Sequence, residues 1–142
     1  MREILFRAKA AHTIDHEWIE GCVVVKPYES PELRVMMVVS IELEDGSFVT
    51  GGETVIPETV GQFTGLTDKN GKKVFEGDIC RVSRPCVLAY GQITFQNGCF
   101  WFVDEGPGGM LRLCDVKMNG FEIEVVGNIH DNPELLDQKE GE

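Results

Sequence analysis

Two histidines stand four residues apart near the start of the chain, with acidic residues beside them. His12 and His16 flank Asp15, and Glu17 follows. On one helix face, imidazoles at this spacing could bind a metal ion. However, the segment has no third ligand at a motif spacing, and it lies between two strand-like stretches. We therefore interpret it as a surface loop and predict no bound metal.

The remaining histidine, His130, is followed directly by Asp131. A His–Asp pair can orient an imidazole for base chemistry, but no nucleophile accompanies this pair in a recognised pattern. The chain also has no phosphate-binding loop, dinucleotide fingerprint or nucleophile elbow. We interpret the pair as a polar turn before a helix, and we predict no catalytic residue, no cofactor and no enzymatic activity.

Thiols are the other reactive groups of the chain. It has five, at Cys22, Cys80, Cys86, Cys99 and Cys114. An odd number without a Cys-x-x-Cys pair indicates reduced thiols of a cytosolic protein, not a disulfide framework. An arginine stands near two of them in sequence, but a single arginine is a weak indication of a reactive thiol. We predict that the cysteines are inert and structural.

The chain of 142 residues has an ordinary globular composition but a net charge of −11. Its length suits one compact domain, alone or with a smaller lobe. Phosphate groups and anionic membranes bind clustered Lys and Arg, so we do not expect direct binding to nucleic acid or to a membrane. No apolar stretch suits a signal-peptide core or a membrane span, and we expect a cytoplasmic protein.

Alternating apolar residues dominate the chain and predict strands. Four dipeptides typical of hairpin turns interrupt them: Asp45-Gly46, Asn70-Gly71, Asn97-Gly98 and Asn119-Gly120. Such dipeptides accept the positive φ that two-residue hairpin turns need. The pattern predicts a mostly β, antiparallel fold. One hairpin is expected around Asn97-Gly98, and in another "MLRLCDV" and "FEIEVVGNI" flank Asn119-Gly120.

The main joint of the chain is predicted at "GGETVIPETVG", which contains two adjacent glycines and Pro57. We divide the chain there into an N-terminal β region, residues 1–56, and a second region, residues 57–136, which together form one compact unit. Near the end, Asn132 can cap a short helix that has Pro133 in its first position. Residues 137–142 are expected to fray.

The stretch "CFWFV" places Phe100 and Phe102 on one face of a strand and Trp101 on the other. We expect both phenylalanines to face the core, which leaves Trp101 for a neighbouring sheet, another subunit or solvent. With Tyr90 close in sequence, Trp101 is our candidate for an interface. The alternatives are a ligand groove and a strand that is buried on both faces.

The stretch "IPETVGQFTGLTDKNGKKVFEGDI", followed by "EVVGNIHDNPELL", resembles the YopX family of small proteins found mostly in bacteriophages and prophages. The likeness covers residues 56–136, and more loosely the start of the chain. It implies several coiled β-sheets, including a small barrel of the SH3 type, and it implies self-association, for which a trimer or a hexamer is expected. It implies no activity and no catalytic residue.

The same resemblance accounts for the corners of this stretch. In a small barrel, Gly71 after Asn70 and Gly77 in the Glu-Gly-Asp corner supply the turn angles. Asp78 can then accept hydrogen bonds from backbone N–H groups at its corner. These residues are therefore expected to serve the fold and not a reaction.

Three functions remain open from the sequence. The first is a non-enzymatic phage or prophage accessory protein in the cytoplasm of the bacterial host, which contacts an unidentified host or phage protein or its own copies. The second is an acidic decoy that mimics DNA and occupies a host nucleic-acid-binding protein, a hypothesis that depends on the charge of −11. The least favoured is a small hydrolase or metal protein that uses a histidine.

Overall fold

The computed structural model describes residues 2–26, 29–104 and 109–139. The chain divides into two compact units, residues 1–63 and 64–142. The predicted joint at residues 56 and 57 lies a few residues before this division, which falls inside a strand. Among the described residues, no helix combines the length and the apolar character needed to cross a membrane.

The first unit is built on antiparallel strands in the order β4-β3-β2-β1-β5. These are β1 (Phe6–Lys9), β2 (Trp18–Val25), β3 (Val35–Glu42), β4 (Phe48–Thr54) and β5 (Gly61–Thr67), and β5 continues into the second unit. The Asp45-Gly46 turn joins β3 to β4 as predicted. Gly46 has a φ of +87°, and Asp45 Oδ1 accepts a hydrogen bond from the Ser47 N–H at 2.9 Å.

One face of these strands forms a small apolar core around the buried residues Ala8, Val35, Met37 and Val55. Strand β2 pairs with β1 up to Gly21 and with β3 from Cys22 onwards. A Cβ atom on Gly21 would overlap the Val38 carbonyl oxygen. Glycine is therefore required where β2 changes partner, because only its backbone can approach this closely.

The second unit contains a five-stranded antiparallel sheet in the order β10-β9-β8-β7-β11. The elements are β6 (Lys73–Phe75) beside the end of β5, then β7 (Asp78–Arg84), β8 (Val87–Gln96), β9 (Cys99–Asp104), β10 (Gly109–Arg112), helix α1 (Leu113–Met118) and β11 (Glu122–Asn128). The Asn97-Gly98 hairpin joins β8 to β9 as predicted, with φ of +51° and +77° at its two residues.

The inner face of the five-stranded sheet holds the larger core. Its buried members include Val82, Ile93, Phe102 and Ile123, and helix α1 adds Leu113 and Val116. The mostly β fold with antiparallel sheets and a short helical turn at the C-terminus is thus confirmed.

The predicted barrel of the SH3 type is not closed among the described residues. The two edge strands of the five-stranded sheet, β10 and β11, do not pair with each other. Helix α1 connects them, and it buries Leu113 and Val116 in the core. A helix that occupies this connection fills the apolar space that a closing strand pair would otherwise cover.

The predicted hairpin around Asn119-Gly120 is wrong, because this dipeptide ends helix α1. Gly120, with a φ of +83°, donates its N–H to the Lys117 carbonyl, and Phe121 donates its N–H to the Val116 carbonyl, both at 3.2 Å. These two bonds define a Schellman motif. Strand β11 then pairs with β7 and not with β10.

A 3-10 helix, Pro133–Lys139, follows β11. Pro133 stands at its first position, and a Cβ atom on Gly127 would come within 2.8 Å of Leu135, so the helix packs closely on β11. Of the residues expected to fray, 137–139 belong to this helix, and 140–142 lie outside the described residues. The glycine-rich connection after β9 also falls largely outside them, at residues 105–108.

Candidate functional site

The outer face of the five-stranded sheet, opposite the core, carries both aromatic residues that the sequence proposed for an interface. Trp101 stands between Thr94 on β8 and Arg112 on β10. Its indole Nε1 donates a hydrogen bond to the Gln96 carbonyl at 2.9 Å. The ring is therefore fixed in direction but only partly covered, while Phe102 on the inner face is buried and Phe100 packs against the core.

The edge strand beside Trp101 is short and apolar. Within the described residues, β10 pairs only with β9. Met110 and Leu111 on β10 are 44% and 38% exposed. We call the residues Thr94, Trp101, Val103, Met110 and Arg112, which share the outer face here, the Trp101 surface. An apolar edge strand with unpaired backbone groups can pair with another chain.

Tyr90 lies on the same face, but the structure does not bring it to Trp101. The cross-strand pair of Gln92 and Val103 lies between Tyr90 and Trp101 on this face. Tyr90 pairs instead with Arg81 on β7, whose guanidinium contacts Glu124 at 2.6 Å. The surroundings of Tyr90 are thus more polar than the Trp101 surface.

The predicted corner at Asn70 and Gly71 is organised by Asp68, a residue that the sequence analysis did not single out. Asp68 is only 6% exposed. Its Oδ1 accepts the N–H groups of Asn70 and Lys72, both at 2.9 Å, and its Oδ2 accepts the N–H of Val125 on β11 at 3.0 Å. The side chain therefore joins the turn to a strand that is distant in sequence.

Burial tends to raise the pKa of Asp68, because the charged form loses water. The hydrogen bonds from Val125, Lys72 and Asn70, with the charge of Lys72, outweigh this effect, and the pKa lies below its ordinary value. Asp68 is thus an ionised structural anchor. The Asp-x-Asn-Gly pattern could have indicated the local half of this role, since aspartate commonly accepts backbone N–H groups two residues on.

The Glu-Gly-Asp corner has a similar construction. Gly77 has a φ of +93°, donates its N–H to the Ile93 carbonyl at 2.8 Å and accepts the Ile129 N–H at 2.9 Å. Asp78 is buried, and its Oδ2 accepts the Phe75 N–H at 2.7 Å. The corner therefore holds β6, β8 and the end of β11 in place, and it buries the Asp78 carboxylate.

The turn before the C-terminal helix is organised by Asn128. Its Oδ1 accepts the N–H groups of His130 and Asp131 at 2.9 Å, and its Nδ2 donates to Asp131 Oδ2 at 3.1 Å. Asn132, which the sequence proposed as a helix cap, accepts the Asn128 N–H with its side chain at 3.3 Å. His130 and Asp131 thus belong to a polar turn.

The N-terminal histidines lie in a loop between β1 and β2. His16 Nδ1 donates a hydrogen bond to the Ala10 carbonyl at 2.9 Å, which engages one of its two ring nitrogens. His12 lines a mostly apolar cavity of about 400 Å³ in the first unit, with Glu58 as the other titratable group in its wall. Among the described residues, no three His, Cys, Asp or Glu side chains are grouped to hold a metal ion.

Comparison with known proteins finds one matching family and a similar solved structure. The family model described as YopX protein matches residues 25–137. A solved structure, that of protein EF1440 from Enterococcus faecalis, is similar, with 25% sequence identity and a TM-score of 0.57. The similarity covers 96% of this chain and 99% of that one. Among curated proteins, no match was found.

Proposed function

Because the chain belongs to the YopX family, we propose that it is a phage or prophage accessory protein without enzymatic activity, which acts by protein–protein contact and first by contact between its own copies. The Trp101 surface carries this proposal. It combines a partly exposed indole with an edge strand whose apolar side chains face solvent. Tryptophan is enriched at protein interfaces, where it supplies a large area at small entropic cost.

The proposed contact is the addition of a strand to β10. Its residues Gly109–Arg112 carry no side chain that would oppose pairing except Arg112, which already bonds Asp115 at 3.0 Å. The backbone groups of β10 supply hydrogen bonds, and Trp101 and Met110 supply apolar area on the adjoining face. Strand addition of this kind gives affinity through the main chain and specificity through the side chains.

Light scattering on the purified chain tests the proposal. We expect an oligomer at micromolar concentration, with a trimer or a hexamer as the expected states. Met110→Lys places a charge on the edge strand without removing a core residue, and Trp101→Ala removes the indole; both are expected to lower the oligomer mass. Met118→Lys is the matched control, because Met118 lies on α1 and is 82% exposed.

A wild-type chain that stays monomeric would contradict the proposal. An oligomer that survives both Met110→Lys and Trp101→Ala would remove the Trp101 surface from the contact. Far-ultraviolet circular dichroism of each variant shows whether the fold is kept, which separates loss of the contact from loss of structure.

The acidic decoy has less support. Carboxylates of the second unit already contact cations, as in Glu124 with Arg81 at 2.6 Å and Asp115 with Arg112 at 3.0 Å. Each such pair neutralises a carboxylate, so fewer negative charges are left to imitate the phosphates of DNA. A pull-down from host lysate distinguishes the two functions, since a decoy releases its partner steeply as salt increases, whereas a contact through Trp101 and Met110 does not.

A further inference from the structure

Two of the five free cysteines line one cavity in the second unit. Cys99, at the start of β9, and Cys114, in the first turn of α1, form its wall together with Phe100, Arg112 and Leu113. The cavity has a volume of about 270 Å³. Cys114 is exposed and Cys99 is half-buried. The other three differ, because Cys22 lies on β2, Cys80 is buried in the core and Cys86 lies in the turn before β8.

The pairing of β9 with β10 brings both cysteines to the same end of this ladder. The last pair of this ladder is Trp101 with Arg112. Cys99 lies two residues before Trp101 and Cys114 two residues after Arg112, so both stand just beyond the last pair of the ladder, where the chain begins α1. Both side chains therefore reach the cavity that begins beyond this pair.

A cation stands beside both thiols. The pKa of Arg112 is raised first by its hydrogen bond with Asp115 and by the charge of Asp115, and to a smaller degree by Cys114 and Cys99. Arg112 is therefore close enough to both sulfurs to interact with their charged forms. The Asp115 carboxylate, whose Oδ1 lies 4.0 Å from Cys114 Sγ, pairs with this guanidinium. Arg112 therefore offsets a negative charge beside the thiol that would otherwise repel an anionic reagent.

We infer that Cys99 and Cys114 form a dithiol site for reversible exchange with a small anionic disulfide, of which glutathione disulfide is the representative. The Cys114 thiolate attacks one sulfur of the small disulfide and breaks its S–S bond. One glutathione leaves and takes up the proton given up by Cys114, and a mixed disulfide remains on Cys114.

Cys99 completes the exchange. Its thiolate attacks Sγ of Cys114, the mixed disulfide breaks, and the second glutathione leaves with the proton of Cys99. The two cysteines lose two electrons and two protons, and the small disulfide gains them as two thiols. The product is a Cys99–Cys114 disulfide that ties the start of α1 to β9.

The test uses the full chain with Cys22→Ser and Cys86→Ser, which removes the other exposed thiols. After treatment with glutathione disulfide, we expect free thiols in the denatured chain to fall from three to one, that of Cys80. Peptide mapping should find Cys99 linked to Cys114. In the matched variant Cys99→Ser, the reaction should stop with one glutathione bound to Cys114.

Three results would overturn the inference. These are retention of all three thiols, a stable glutathione adduct on Cys114 while Cys99 is still present, and cross-linking of Cys114 between chains.

The role of Arg112 is tested by the rates of thiol–disulfide exchange with a charged and an uncharged disulfide. Arg112→Gln should slow the reaction with glutathione disulfide about threefold or more, but not that with the uncharged 2-hydroxyethyl disulfide. Arg84→Gln is the control, and equal slowing with both reagents would remove Arg112 from the site.

Discussion

Two turns of this protein are built from the same residue types, an aspartate and a glycine, in different surroundings. In the first unit, Asp45 precedes Gly46, and its Oδ1 accepts the N–H and the hydroxyl of Ser47 at 2.9 and 2.6 Å. In the second unit, Asp68 opens the turn that contains Gly71 and accepts three backbone N–H groups. Both carboxyls have a pKa below the ordinary value. The chemistry of the two turns is therefore nearly the same.

The difference lies in what each carboxylate connects. Asp45 is exposed and bonds to a residue two positions on. Asp68 is buried and reaches Val125, which is 57 residues away in the chain. Water reaches the bonds to Ser47 freely, whereas the bond between Asp68 and Val125 is partly buried. A turn motif in the sequence thus predicts the local backbone shape in both cases. How much the turn contributes to stability depends on a distant partner that the motif does not identify.

Asp68→Ala is expected to have the largest effect. It leaves the N–H of Val125 without an acceptor and removes two bonds from the turn. We expect the free energy of unfolding to fall by about 2–3 kcal/mol, because an unsatisfied buried donor costs about 1–3 kcal/mol and bonds to charged groups are the stronger ones. Urea denaturation followed by Trp101 fluorescence in a Trp18→Phe background reports on the second unit alone.

Asp45→Ala is the control for that measurement, followed by Trp18 fluorescence in a Trp101→Phe background. The midpoint should change by much less than that of Asp68→Ala. Equal changes in the two variants would break the comparison, because they would mean that the distant bond to Val125 contributes nothing.

The two glycines Gly77 and Gly46 are expected to give a smaller and more equal effect. They have φ of +93° and +87°. A Cβ atom on Gly77 would find its nearest neighbours at 3.9 Å, and one on Gly46 would find none within 4 Å. The cost of alanine is thus the left-handed backbone itself, about 1–2 kcal/mol in each case. Denaturation of Gly77→Ala and Gly46→Ala checks this, and an unchanged midpoint for Gly77→Ala would show that the corner is ordinary.

The parts of the fold that the sequence predicted correctly are those set by neighbouring residues. Asp45-Gly46 and Asn97-Gly98 form hairpins because their own backbone angles fit the twist of the strands around them. Asn119-Gly120 shows the limit of this reasoning. A glycine with positive φ also ends a helix, and Leu113 and Val116 bury one side of a helix of six residues. So short a helix has no periodicity by which a sequence could reveal it.

Features that depend on distant partners were not predictable in the same way. Whether a sheet closes depends on which edge strands meet, and no local pattern shows that α1 separates β10 from β11. The bond between Asp68 and Val125 and the position of Cys99 and Cys114 on one cavity wall have the same origin. The sequence could predict that Trp101 faces away from Phe100 and Phe102, because this follows from the alternation of side chains along one strand. Its distance from Tyr90 depends on the register between strands, which the sequence does not show.

Acid pH provides the smallest and most specific test of the difference between the two turns. The pKa of Asp68 is lower in the folded chain than its ordinary value of 3.8. Its contribution is therefore fully present above that value and is lost as pH falls through the folded pKa. Once Asp68 is protonated in the wild type, Asp68→Asn no longer removes a charged acceptor.

We therefore expect the difference in unfolding free energy between the wild type and Asp68→Asn to be constant at neutral pH and to shrink as pH falls below about 4. The comparison is made by denaturation at several pH values with Trp101 as the probe. Comparing the two proteins at each pH cancels the titration of the other acidic groups, which are numerous in a chain with 24 Asp and Glu. For Asp45→Asn, the pKa of Asp45 is also lowered, so the direction is the same, but water replaces its bonds to Ser47 and the change should be barely measurable. A difference for Asp68→Asn that stays constant down to pH 2 would mean that the ionised carboxylate is not what holds the turn to Val125.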